Sequence, residues 1–216
     1  MRKDTRLILA IDETDPEKAL NIANSVSGTI DAVKINWPLV LSAGPQMITE
    51  LSKITDVICD FKVADIPNTV RLIVENSVSR GACAVIVHVF PGSDSLRTAV
   101  DTAASMGASI YAVTEMSHPG GVEFTAPNAE AMARIGVECG VRGFIAPATR
   151  PDRIAAIRAI IGDREILSPG VGAQGGSAAA AIRAGADYVI AGRAIYGAAE
   201  PRLAAESISR DALSGL

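Results

Sequence analysis

The residues best suited to chemistry in this 216-residue chain lie in one stretch, Asp60-Phe61-Lys62-Val63-Ala64-Asp65-Ile66-Pro67, at the end of the apolar run Val57-Ile58-Cys59. In a strand, residues two apart share a face, so Ile58, Asp60 and Lys62 point one way while Val57, Cys59 and Phe61 point the other. Asp65 falls just past the strand, in a turn that Pro67 closes before a helical pattern beginning near Asn68. A carboxylate and an ammonium thus share one face, with a second carboxylate close behind. The plain alternative is a solvated strand end with a surface ion pair, worth about 0 to 1 kcal/mol. Apolar residues on the opposite face favour a strand buried on both sides, as in a parallel sheet covered by helices. Charges placed there cost free energy, which points to a functional origin.

Other polar residues end apolar runs in the same way: Asp12, Lys34, His88, Thr114, Ser117 and Arg193. The chain has only five lysines, and two of them, Lys34 and Lys62, are in this set. His88 reads more readily as a hydrogen-bonded structural histidine than as a participant, and Asp12 alone could simply cap a turn. Two Gly-marked stretches, Pro169-Gly170-Val171-Gly172-Ala173-Gln174-Gly175-Gly176 and Gly192-Arg193, have the makings of a phosphate cradle. Glycines let backbone N–H groups approach an anion and Arg193 adds charge-assisted bonds, although such glycines also serve tight turns. The stretch is not a GxxxxGK[ST] loop, which argues against a nucleoside triphosphatase.

The elements that must position these residues alternate along the chain. Strands are expected at residues 7–11, 32–35, 57–62, 84–89, 109–113, 143–146, 165–167 and 188–191. Helices are expected at 16–26, 46–54, 68–80, 93–106, 129–139, 151–161, after Gly176 to Ala184, and from Pro201. Asp15 is a plausible N-cap before Pro16, and residues 117–127 read as a loop marked by Gly and Pro. Eight strand–helix alternations match a minimal (β/α)8 barrel in one domain spanning 1–216; an open doubly wound sheet gives the same alternation, and the count of eight favours the barrel. In a barrel all eight strand ends form one rim, so the scattered polar residues become neighbours.

Composition narrows the functional classes. At 49% hydrophobic and 20% charged residues the chain can bury a sizeable core. A net charge of -4 and a pI near 5.2 argue against nonspecific nucleic-acid binding or an anionic membrane surface. Cys59, Cys83 and Cys139 have no metal-like spacing and fit a reducing compartment. No signal peptide or membrane span is visible, so a cytoplasmic protein is expected.

With these residues assembled, the chain resembles the orotidine 5'-phosphate decarboxylase family along almost its whole length. The resemblance is carried by Lys34, Asp60-x-Lys62-x-x-Asp65-Ile66-Pro67, Thr114-Glu115-Met116-Ser117-His118-Pro119-Gly120, Ser168 through Gly176, and Gly192-Arg193. It implies a metal-free, cofactor-free decarboxylation giving UMP and carbon dioxide. Lys34, Asp60, Lys62 and Asp65 would form an alternating charge network in which Lys62 stabilises and protonates the C6 carbanion. Whether Asp60 raises the ground state or orients Lys62 is left open by the sequence. Asp12 and Lys34 would contact ribose, Ser117 the pyrimidine, and Gln174 and Arg193 the phosphate, with Thr114, Pro169, Gly170, Gly172 and Gly192 lining the substrate site. A homodimer is implied, with Asp65 and Thr69 supplied by the second subunit. Phosphate binding would close the 117–127 loop over the substrate.

Three rivals are weighed against this reading. A sugar-phosphate lyase of the same broad superfamily shares the Asp-x-Lys-x-x-Asp motif but holds Mg²⁺ through an acidic residue at the end of the second strand. Lys34 stands there, and an ammonium would repel the ion. A Schiff-base aldolase using Lys62 would be trapped by borohydride. A noncatalytic nucleotide-binding barrel explains the phosphate loops but has little need for four buried charges.

Overall fold

The computed structural model describes residues 1–216. Eight parallel strands close on themselves in chain order: β1 (Leu7–Ile11), β2 (Ala32–Ile35), β3 (Val57–Val63), β4 (Ala82–His88), β5 (Ser109–Val113), β6 (Gly143–Ile145), β7 (Glu165–Pro169) and β8 (Tyr188–Ala191). Pairing of Leu7 with Val189 and Ile8 with Ile190 joins β1 to β8, so the open-sheet alternative does not hold. The helices are α1 (Pro16–Val26), α2 (Trp37–Ala43), α3 (Gln46–Ser52), α4 (Pro67–Val78), α5 (Ser93–Ser105), α6 (Gly121–Cys139), α7 (Pro151–Ile161), α8 (Ala178–Arg183), α9 (Arg193–Tyr196) and α10 (Pro201–Leu213). None is long and apolar enough to cross a membrane.

Strand alternation divides the apolar residues between two cores. Ile8, Ile58, Ile86, Tyr111 and Leu167 fill the barrel. Leu7, Leu9, Val33, Val57, Cys59 and Val85 point outward into the larger core beneath the helices. The face assignment expected for β3 therefore holds: Val57, Cys59 and Phe61 pack outward while Ile58 faces in. Both faces of each strand are buried, which explains the near-continuous apolar runs. Local signals start the helices as expected in two places. Asp15 caps α1, its Oδ1 accepting from the Glu17 and Lys18 N–H groups at 2.9 and 3.1 Å, and Pro67 occupies the first turn of α4.

Three departures from the sequence reading bear on the site. First, the loop expected at 117–127 ends at Gly120: α6 begins at Gly121 and carries Pro127 inside it. The ring removes the N–H that would reach the Glu123 carbonyl, and that exposed turn leaves the carbonyl open to water. Thr125 anchors the helix start, donating to the Gly121 carbonyl at 2.7 Å and accepting from the Met116 N–H at 3.1 Å. Second, α2 and the four-residue α9 were not anticipated; α2 starts where Asn36 Oδ1 accepts from the Trp37 N–H at 2.7 Å. Third, β3 is irregular. Cys59 pairs with Val85 and Val63 with Val87, so Asp60, Phe61 and Lys62 share the span of Ile86 alone. Lys62 adopts φ 46°, a left-handed conformation rare for a side chain of this size.

Candidate active site

A cavity of about 300 Å³ opens at the C-terminal ends of the strands, and residues in or just beyond all eight strands line it. Its apolar wall is built from inward residues such as Ile86, Val113, Ile145 and Ile190. At one side lies the charge cluster. Asp60 is buried, and its carboxylate bridges two ammonium groups: Lys34 Nζ donates to Oδ2 at 2.7 Å, and Lys62 Nζ lies 2.8 and 2.9 Å from Oδ1 and Oδ2. Lys34 comes from β2, whose register sets it beside Ile58 of β3. The β3 bulge supplies the other half, turning Lys62 back so that its ammonium meets the carboxylate two residues earlier. Phe61, between them, faces out and stacks on Trp37 with ring centroids 4.5 Å apart, and the Trp37 indole N–H donates to the Phe61 carbonyl at 3.1 Å. Burial by itself would raise the Asp60 carboxyl, but Lys34 and then Lys62 outweigh it and hold the group below the ordinary carboxylate range. The cluster therefore presents one fixed anion and two cations to a dry wall.

Asp12, just past β1, stands beside this cluster, since β1 pairs with β2 in the register Ala10 to Lys34, while Ser117, Gln174 and Arg193 come to the cavity from the ends of β5, β7 and β8. The Arg193 guanidinium and the Gln174 amide make no bond to the protein, so both are available to a ligand. Between them, the loop after β7 is folded tightly on itself. The N–H groups of Gly172, Gly175 and Gly176 bond to the carbonyls of Gly176, Gly172 and Gly170 at 3.2, 2.8 and 3.0 Å. These three glycines thus serve the turn, and their N–H groups do not form the cradle that the sequence suggested. Gly172 has φ 75°, and a Cβ there would lie 2.7 Å from the Cβ of Ala194.

A search with family models matches residues 5–208 to the orotidine 5'-phosphate decarboxylase / HUMPS family. Orotidine 5'-phosphate decarboxylase of Methanococcoides burtonii is 56% identical over 209 residues, covering 96% of this chain and 97% of its own. That of Methanosarcina mazei is 52% identical over 212 residues, covering 98% and 96%. The chain belongs to the orotidine 5'-phosphate decarboxylase / HUMPS family. Among solved structures, orotidine 5'-monophosphate decarboxylase of Methanocaldococcus jannaschii complexed with the inhibitor BMP superposes with a TM-score of 0.90 at 39% identity, covering 94% of this chain and 96% of that one. The Pyrococcus horikoshii orotidine 5'-phosphate decarboxylase gives 0.89 at 44% identity, covering 96% and 99%.

Within this family member the structure gathers most, but not all, of the expected site residues. Asp12, Lys34, Asp60, Lys62, Ser117, Pro169, Gly170, Gln174, Gly192 and Arg193 line the one cavity. Thr114 does not: it is fully buried and its hydroxyl donates to the Ile145 carbonyl at 3.0 Å. It follows the inward-facing Val113, so strand alternation turns it outward. Gly172 lies behind the wall, shaping the loop. Asp65 and Thr69 also lie off the cavity. Asp65 is exposed, with Oδ1 accepting from the Ile66 N–H at 2.7 Å, and Thr69 lines an apolar groove between α2, α3 and α4. His88 is not the hydrogen-bonded residue expected: its Nδ1 is buried without a partner, and its ring lies against Phe90. Sequence reasoning missed Asn36, Glu115 and His118 as lining residues. Glu115 lies past the end of β5, where the two-residue period no longer applies, so no local signal marked it. None of the three cysteines lines the cavity, and burial pushes the Cys59 and Cys83 thiols up to about 12.

Proposed function

We propose that this chain decarboxylates orotidine 5'-phosphate to UMP with its own side chains as the only catalytic groups. The observation that carries the reading is the buried Asp60 carboxylate between two ammonium groups, across the same cavity from the unpartnered Arg193 and Gln174. Phosphate held by Arg193 and Gln174 anchors one end of the nucleotide, Asp12 and Lys34 meet the ribose, and Ser117 hydrogen-bonds the pyrimidine. The C6 carboxylate then lies near Asp60 and Lys62. When the C6–carboxylate bond breaks, carbon dioxide leaves and the electron pair stays on C6 in the ring plane, where the π system cannot delocalise it. The Lys62 ammonium stabilises that pair electrostatically and transfers a proton to C6, leaving an amine that solvent reprotonates. Binding energy at the remote phosphate is thus available to organise the reacting end.

The Mg²⁺-dependent branch of the family is disfavoured by charge. Lys34 stands at the end of β2, where that branch holds its acidic metal ligand, and its ammonium is paired with Asp60 at 2.7 Å. Loss of orotidine 5'-phosphate absorbance in EDTA, with no added metal, tests the reading. Turnover that vanishes with chelator and returns with Mg²⁺ would refute it.

Two further parts of the reading concern assembly and location. Asp65 and Thr69 complete the site of a second copy in a homodimer, supported by the exposed Ile66 next to Asp65 and by the exposed Trp37 and Leu72, which line the same apolar groove as Thr69. The fourth charge of the network then comes from the partner. Unpaired cysteines fit a cytoplasmic enzyme.

A further inference from the structure

Glu115 is a second buried carboxylate on the cavity wall, and the chemistry above does not use it. It is fully buried and is gripped from the helix side by two arginines: Arg150 Nε donates to Oε1 at 2.7 Å and Arg153 Nε donates to Oε2 at 2.9 Å. A buried carboxylate with two cations is costly to assemble, and a methionine of similar size would fill the space without that cost. The arginines also reach beyond it. An Arg150 Nη donates to the Met116 carbonyl, and an Arg153 Nη donates to the Ala126 carbonyl of α6 at 3.4 Å. The adjacent Thr149 hydroxyl donates to the Ser117 carbonyl at 3.3 Å. Glu115 thereby fastens the end of β5, the start of α7 and the first turns of α6 around the Met116-Ser117 segment. Gly170 of the β7 loop closes on the same point, for a Cβ there would lie 3.1 Å from Thr149 Cγ2 and 3.7 Å from Ser117 Cβ.

We propose that Glu115 is a positioning residue for the reaction: with Arg150 and Arg153 it sets the Met116-Ser117 backbone, and so decides where the Ser117 hydroxyl meets the pyrimidine. The inference rests on the decarboxylase reading and on Ser117 being the group that touches the base. If Glu115 acts through Ser117, its loss has nothing left to act on once the hydroxyl is gone.

The test is a double-mutant cycle in kcat/KM for orotidine 5'-phosphate, using wild type, Glu115→Gln, Ser117→Ala and the combination. Glu115→Gln alone is expected to lower kcat/KM about ten- to a hundred-fold, the effect of one charge-assisted bond, and to cost less than about two-fold in the Ser117→Ala background. Arg150→Lys is the second arm. It keeps a cation beside Glu115, so the buried charge stays compensated, while giving up the bond to the Met116 carbonyl; the same loss and the same non-additivity are expected. Equal losses in both backgrounds would overturn the inference, as would a Glu115→Gln enzyme that is less thermostable yet fully active. A wild-type chain without turnover would remove the decarboxylase reading itself, whereas additive losses in an active enzyme overturn the role of Glu115 alone.

Discussion

Lys62 carries two burdens, a reacting ammonium and a left-handed backbone. Lys62→Ala removes the first and should lower kcat by at least about a hundred-fold, as loss of a positioned acid does. The second burden is separable. A non-glycine residue at φ 46° costs about 1 to 2 kcal/mol, so Lys62→Gly should unfold about 2 to 8 °C above Lys62→Ala in a scan of both inactive proteins. Equal midpoints would mean that the bulge is unstrained. At the gripping end, Arg193→Ala should weaken binding of orotidine 5'-phosphate about ten- to a hundred-fold while leaving unphosphorylated orotidine nearly unaffected. Asp60 and His88 both contribute to the acid side of the stability profile. Asp60 is held below its ordinary 3.8, so its pairing stabilises the fold above that value and is lost only as pH falls through a lower one. His88 acts in a higher window. Burial, then Lys62, depress it from 6.5 to about 4, so between those values the unfolded chain binds a proton that the folded chain does not. Stability therefore falls as pH drops from 6.5 to 4, and His88→Gln should flatten that decline in urea midpoints measured at pH 7 and pH 5.

Among the elements, β3 and α6 depart furthest from regular geometry, and both border the reacting groups. The β3 bulge lets two residues of one strand hold opposite charges in contact, while Phe61 between them keeps its outward packing on Trp37. In α6, Pro127 weakens the turns that follow Ser117. Pro127→Ala should restore the bond to the Glu123 carbonyl and raise stability by about 1 to 3 kcal/mol, read from thermal or urea unfolding. A lower midpoint would show that the ring's packing outweighs the missing bond.

For the whole molecule the question is where one chain's site ends. Three charges of the expected four converge within a single barrel, and Asp65 stands outside the cavity, exposed and next to the exposed Ile66. Refolding an equal mixture of Lys62→Ala and Asp65→Asn chains tests the shared site. If Asp65 serves the partner, about half the dimers are mixed and about a quarter of all sites regain both groups. Verified subunit exchange without recovered activity would confine Asp65 to its own subunit and leave the decarboxylase reading standing.

The sequence by itself determined the eight-fold alternation of strands and helices, the inward face of β3 and most of the polar side chains of the cavity. Those follow from local periodicity, and a closed parallel barrel brings every strand end to one rim whatever the distances along the chain. It did not determine which residues just past the strands stay on that rim. Thr114 is buried with its hydroxyl on the Ile145 carbonyl, and three glycines of the β7 loop spend their N–H groups on their own turn. Nor could it reveal the left-handed Lys62, α2, or the helix running through Pro127. Each of these depends on contacts outside the local period or on a backbone state that residue type disfavours: Phe61 for Trp37, the span of Ile86 for Lys62, Met116 for Thr125. Packing in three dimensions supplies the free energy that overrides such local preferences, and only the folded barrel shows where it does so.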